Sequence, residues 1–208
     1  MKLKKLKSIL DGVETFDSPN VDLEQYPTPP DIAAEMLHHV FSSGDIEGKL
    51  ILDLGCGGGI LSIGASILGA SQVVAIDIDS GPLEIFQSNL EEFEVTNISM
   101  LQASVSHLSS MMRMKADTVI MNPPFGTRNK GADLMFLEIA SSLCSKHIYS
   151  LHKTSTREHL IRKAEKRGLK CEVIAQLRYN IDKIYGFHKR DSRDIEVDFI
   201  KCWNARPT

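Results

Sequence analysis

Short apolar runs alternate along the chain with longer stretches in which apolar positions recur every three or four residues, the pattern of strands threaded with helices. Residues 50–54, 73–77, 98–102, 118–121, 147–150, 171–177 and 195–202 read as strands, and 61–68, 82–93, 133–143 and 156–167 as helices. In 82–93, Leu83, Phe86 and Leu90 fall on one helical face. A further helix begins at Thr28-Pro29-Pro30-Asp31, where proline suits the first turn, and Thr28 and Asp31 are spaced like a capping box. Met36, Leu37, Val40 and Phe41 supply its apolar face. The predicted architecture is α/β: one Rossmann-like sheet of seven strands with helices on both faces.

At 208 residues, with 42% hydrophobic and 25% charged positions, the composition excludes a disordered or collagenous chain and leaves one domain with a modest extension. Cys56, Cys144, Cys171 and Cys202 are too far apart for a CxxC zinc pair or a small disulfide framework, so no metal site is expected and the cysteines are expected as thiols, in the nucleus or cytoplasm. Residues 1–7 are lysine-rich without an apolar run after them, and 60–70 is too short and glycine-broken to span a bilayer, so no membrane association is expected. Net charge is −3, but it divides unevenly: +4 over residues 1–7, −15 over 8–112, where Lys49 is the single base, and +8 over 113–208.

Two constellations carry chemistry. The first, Asp53-Leu54-Gly55-Cys56-Gly57-Gly58-Gly59, closes the first strand with a turn that glycines allow to pass close to a ligand. A glycine turn alone also suits dinucleotides. Asp53 at the strand end would sit badly beside a pyrophosphate but suits a cationic amino acid moiety, and Asp77, ending the second strand, is placed to accept from both hydroxyls of a ribose. Together they point to S-adenosylmethionine, a sulfonium with a ribose and no phosphate. The second constellation, Asn122-Pro123-Pro124-Phe125, follows the fourth strand. Its prolines stiffen the loop and remove N–H donors, leaving the Asn122 side chain and the Pro123 carbonyl as acceptors for a planar NH2, with Phe125 to stack on the group that bears it.

The glycine turn followed by Asn122-Pro123-Pro124-Phe125 resembles the class I amino-group methyltransferases. Residues 23–28 (LEQYPT), 121–127 (MNPPFGT) and 150–159 (SLHKTSTREH) are similar, more closely, to the methyltransferase-like protein 5 family over essentially the whole chain. The resemblance implies a methyltransferase acting on N6 of an adenosine in small-subunit ribosomal RNA. It implies cofactor contacts at Gln25, Thr28, Gly55, Gly58, Ile60 and Asp77, with Ser104 and Val105 beside the adenine and Asn122 to Phe125 as the catalytic loop. Ser104 stands where such enzymes usually carry aspartate. Residues 1–45 would then be an extension and helix contributing to the cofactor site, and 46–208 the methyltransferase domain.

Lys153, Arg157, Lys163, Lys166 and Arg167, beside a loop built to hold a base, read as phosphate contacts rather than only a solvated face. If strand order follows related enzymes, Ile98–Gln102 is an edge strand without lysine or proline to blunt it. The resemblance implies that a small zinc-binding activator subunit, shared by several RNA and protein methyltransferases, adds a strand there to form a heterodimer. Two rival readings stand beside the first: methylation of a protein glutamine amide, which an Asn-Pro-Pro loop can also hold, and a non-catalytic RNA-binding scaffold on a methyltransferase fold.

Overall fold

In a computed structural model of the chain, residues 1–16, 19–181 and 193–205 are described. Seven strands, β1 (Leu50–Leu54), β2 (Gln72–Asp77), β3 (Ile98–Gln102), β4 (Ala116–Met121), β5 (Cys144–Lys153), β6 (Leu169–Ile181) and β7 (Arg193–Asn204), form one sheet in the order β3-β2-β1-β4-β5-β7-β6. All pairings are parallel except those of β7, which runs antiparallel to both β5 and β6. Helices α1 (Leu3–Leu10), α2 (Pro30–Ser42), α3 (Ile60–Ile67) and α4 (Ser80–Glu92) cover one face; α5 (Leu108–Met111), α6 (Ala132–Leu143) and α7 (Arg157–Glu165) cover the other.

The pleat explains why the central strands read as continuous apolar runs. Ile51 enters the core under α1 to α4 while Leu52 and Leu54 enter the core under α5 to α7, as a strand covered on both faces requires. Leu6 and Leu10 of α1 and Met36 and Leu37 of α2 join Ile51 and Ile63 in the same core, so residues 1–45 share the interior of the rest of the chain. The order reverses between β1 and β4, and at this switch point the carboxyl ends of parallel strands leave a crevice for a ligand.

Two expectations are corrected and one helix is added. Thr28 does not cap α2: the cap position is Pro29, with no side-chain hydrogen bond, because the Thr28 hydroxyl accepts from Asn122 instead. Helix α1, hidden in the lysine-rich start, is amphipathic, burying Leu6 and Leu10 while its lysines remain in solvent. Cys171 and Cys202 are not thiols. The β6–β7 register sets them directly opposite each other, with Cα atoms 4.1 Å apart, and they are joined by a disulfide. The sequence between the last two strands predicts a polar, basic loop around residues 185–194, of which 185–192 lie outside the described residues.

Candidate cofactor and substrate site

The strand ends β1, β2 and β4, the turn after β3 and a strap formed by residues 23–28 enclose a cavity of ≈ 300 Å³. Of the predicted contacts it is lined by Gln25, Thr28, Gly55, Gly58, Ile60, Asp77, Ser104, Val105 and Asn122 through Phe125. Among the described residues no lysine, arginine or histidine reaches its wall, whereas Glu14, Glu24 and Asp77 do. Among these residues a phosphate would find no cation. A positively charged cofactor with a ribose fits the acidic lining, and the Asp77 carboxylate on the cavity wall is oriented by the N–H groups of Gly57 (2.9 Å) and Asp79 (3.0 Å). Burial, against these hydrogen bonds, raises the Asp77 carboxyl above its ordinary value.

Asp53 departs from its predicted role. The pleat of β1 turns it toward α3, so it is fully buried and absent from the cavity wall; Oδ2 accepts from the Ser62 hydroxyl at 2.6 Å, and Oδ1 has no hydrogen-bond partner among the described residues. Burial pushes its carboxyl up to about 7, the Ser62 hydroxyl opposes this, and the nearby Asp77 adds to it. Because the folded value lies above the ordinary 3.8, the native state keeps a proton that the unfolded chain has released, and this group costs stability as pH rises from about 4 to about 7. Urea unfolding of Asp53→Asn across that window is expected to lack the decline shown by the parent. Parallel pH profiles would contradict the assignment.

The Asn-Pro-Pro-Phe loop is held from outside by groups that sequence reasoning missed. Glu24, 4% exposed, accepts from the backbone N–H of Thr127, Arg128 and Asn129 and from the Thr127 hydroxyl, at 2.6 to 3.0 Å. Burial alone would raise its carboxyl, but these donors outweigh it and hold it below the ordinary value. Asp22 pairs with Arg128, and its carbonyl accepts from the Asn129 side chain. The strap and the loop are thus clamped together along residues 22–24 and 127–129. Phe125, 4% exposed, lies in an aromatic box: Tyr26 stacked at 6.1 Å, Tyr179 edge-on at 6.1 Å, and the Lys153 ammonium 5.9 Å from its centroid. Asn89 of α4, fully buried, donates to the carbonyls of Glu14 and Gly58 and accepts from the Glu14 N–H, tying the N-terminal segment to the glycine turn. None of these partners is closer than 28 residues in sequence, so no local pattern announces them.

The predicted phosphate contacts divide. Lys153 reaches the aromatic box, and Lys163 and Lys166 are exposed on and just beyond α7. Arg157 is corrected to a structural role: Nε and Nη2 form a bidentate pair with the fully buried Asp198, at 2.7 and 2.6 Å, and Nη2 also donates to Gln176. Arg167 pairs with Glu138 of α6 at 3.2 Å. His152 is fully buried against Ser150, and burial lowers its value to about 4, so it remains a neutral structural histidine. Ser104 shares a hydrogen bond of 2.8 Å with Ser106. No candidate metal cluster occurs among the described residues, and no helix there is long and apolar enough to cross a membrane.

A doubly wound sheet with an antiparallel seventh strand, a glycine turn, an acid ending β2 and Asn-Pro-Pro-Phe ending β4 define a class I S-adenosylmethionine-dependent methyltransferase. The family model for ribosomal protein L11 methyltransferase matches residues 33–123. The rRNA N(6)-adenosine-methyltransferase METTL5 of Danio rerio is 52% identical over 97% of this chain and 98% of its own, and that of Drosophila melanogaster 50% identical over 96% and 95%. A candidate RNA methyltransferase from Pyrococcus horikoshii, of known crystal structure, superposes with a TM-score of 0.86 at 33% identity, covering 98% of this chain and 97% of that one. The chain belongs to the METTL5 family of rRNA N(6)-adenosine-methyltransferases.

Proposed function

We propose that this protein transfers a methyl group from S-adenosylmethionine to N6 of an adenosine in small-subunit ribosomal RNA. The observation that carries the reading is Asn122, which lines the cavity with its buried Oδ1 lacking a partner among the described residues. The cofactor supplies an electrophilic methyl group. Gln25, Thr28, Gly55, Gly58, Ile60, Asp77, Ser104 and Val105 hold it, and Asn122 Oδ1 and the Pro123 carbonyl accept the two protons of the adenine amine. Those acceptors would orient the nitrogen lone pair and stabilise the positive charge that grows on nitrogen as the N–C bond forms and the methyl–sulfur bond breaks, its electron pair returning to sulfur as a neutral thioether. The extra proton then leaves an acidic ammonium, so no strong base is required. Phe125 and Tyr26 form the aromatic support for the base, which must be unpaired or flipped out to reach a recessed loop.

Incubation of the full chain with isotopically labelled cofactor separates this reading from its rivals. Label is expected on unpaired adenosine of small-subunit ribosomal RNA fragments. Label on a glutamine-containing peptide instead would favour the protein substrate, and cofactor binding without any transfer would favour the scaffold.

RNA phosphates are held in this reading by Lys153, Lys163 and Lys166. Each phosphate contact releases counterions, so Lys163→Glu with Lys166→Glu is expected to weaken RNA binding and lower its salt slope by about 2. An unchanged slope would return both lysines to a merely solvated face.

We also propose a heterodimer with a small zinc-binding activator subunit. In its support, β3 ends the sheet, and its Leu101 is 38% exposed at an edge without lysine or proline. Met100→Pro, which removes a ladder N–H, is expected to abolish co-purification of the two chains; an intact complex would exclude this docking site. Nuclear and cytoplasmic residence is proposed with it.

A further inference from the structure

The hydrogen bonds around Asn122 decide which end of its amide faces the substrate, and they do so through a residue on the far side of the sheet. Tyr179 of β6 is 1% exposed, and its hydroxyl lies 2.9 Å from the Pro27 carbonyl and 3.3 Å from the Tyr26 carbonyl. Carbonyl oxygens only accept, so the single phenolic hydrogen is committed to the strap. Burial also raises the Tyr179 phenol, which keeps that hydrogen in place. What the phenol presents to Asn122, 3.2 Å away, is therefore a lone pair, and the amide atom facing it must be the donor Nδ2. The other Nδ2 hydrogen goes to the Thr28 hydroxyl at 2.9 Å. A threonine hydroxyl can donate or accept and would tolerate either amide orientation; the phenol, already committed as a donor, does not.

Building on the proposed reaction, we infer that Tyr179 is a positioning residue for methyl transfer: tied to the strap, its hydroxyl holds the Asn122 amide with Oδ1 as the acceptor. A flipped amide would present an NH2 to the substrate NH2, donor against donor, and place Oδ1 against an oxygen that has no hydrogen left to give. Without the hydroxyl the two orientations differ by little, and part of the population presents the wrong end. The strap therefore contributes to the chemistry through Tyr26 and Pro27 main-chain oxygens, in addition to lining the cavity.

Tyr179→Phe removes the hydroxyl while keeping the ring that packs edge-on against Phe125. In the full chain it is expected to lower kcat about 2- to 5-fold, leaving the KM for RNA and the Kd for S-adenosylmethionine close to those of the parent, with an unfolding midpoint lowered by no more than the loss of one buried hydrogen bond requires. In an Asn122→Ala background the same change is expected to add no further loss, because the amide it orients is gone. A merely structural tyrosine would leave kcat unchanged while lowering cofactor affinity or the unfolding midpoint, or would multiply its loss onto that of Asn122→Ala. If the Asn122→Ala background is too slow to measure, the division between kcat and KM decides. Full activity of Tyr179→Phe alongside an inactive Asn122→Ala overturns the inference and leaves the proposed function standing; an active Asn122→Ala overturns the proposed function itself.

Discussion

Asn122→Ala is expected to lose methyl transfer by about 100- to 1000-fold while binding S-adenosylmethionine nearly as the parent does. The loss follows from where the amide points. Both Nδ2 hydrogens are committed to Thr28 and Tyr179, and the remaining Oδ1 is the group left to receive a donor from the substrate. Alanine removes that acceptor without touching Asp77, Ser104 or the glycine turn, so calorimetric titration of the cofactor should change little. Single-turnover transfer to RNA reads the loss. Activity within tenfold of the parent would remove Asn122 from the chemistry.

Gly59→Ala is expected to produce the largest loss of stability. Gly59 ends the turn at φ +89°, a conformation that costs a residue with a side chain about 1–2 kcal/mol. A Cβ would also fall 2.2 Å from two ring atoms of Phe86, which is fully buried in the core, so the ring must shift. Overpacking of this kind costs about 1–3 kcal/mol, so the two effects together remove a large share of the roughly 5–15 kcal/mol that holds a typical domain. Gly44 supplies the control: its φ is +75°, but a Cβ there meets nothing within 4 Å. Gly44→Ala should lose only the conformational part. Urea unfolding of the two variants would contradict the account if both fell equally.

The comparison of sequence with structure shows which information is local. The central strand cores were legible because parallel strands buried on both faces become short apolar runs, and β1 has the bounds its pattern predicts, as does the exposed edge strand β3. The glycine turn, Asp77 and Asn-Pro-Pro-Phe were legible for a related reason: each is a contiguous segment at a strand end, so topology alone brings them together. The support of the site was not legible. Glu24 meets residues 127–129 across more than a hundred positions, and Tyr179 meets Asn122 across 57. The Thr28-to-Asp31 spacing suggested a helix cap, yet a better partner for the Thr28 hydroxyl lay 94 residues away. Likewise a basic cluster in sequence conceals that Arg157 neutralises the buried Asp198, a contact made only when α7 docks beside β7. Asp53 could be placed at a strand end by pattern, but only the pleat decides that it faces α3 instead of the cavity.

The central claim, methylation of adenine N6 in small-subunit ribosomal RNA, is tested most directly by nucleoside mass spectrometry of that RNA purified from cells with and without this protein. The account predicts that N6-methyladenosine falls in the cells lacking it and returns on re-expression of the parent chain but not of Asn122→Ala. Unchanged N6-methyladenosine in the small-subunit RNA, or equal rescue by both chains, would contradict it.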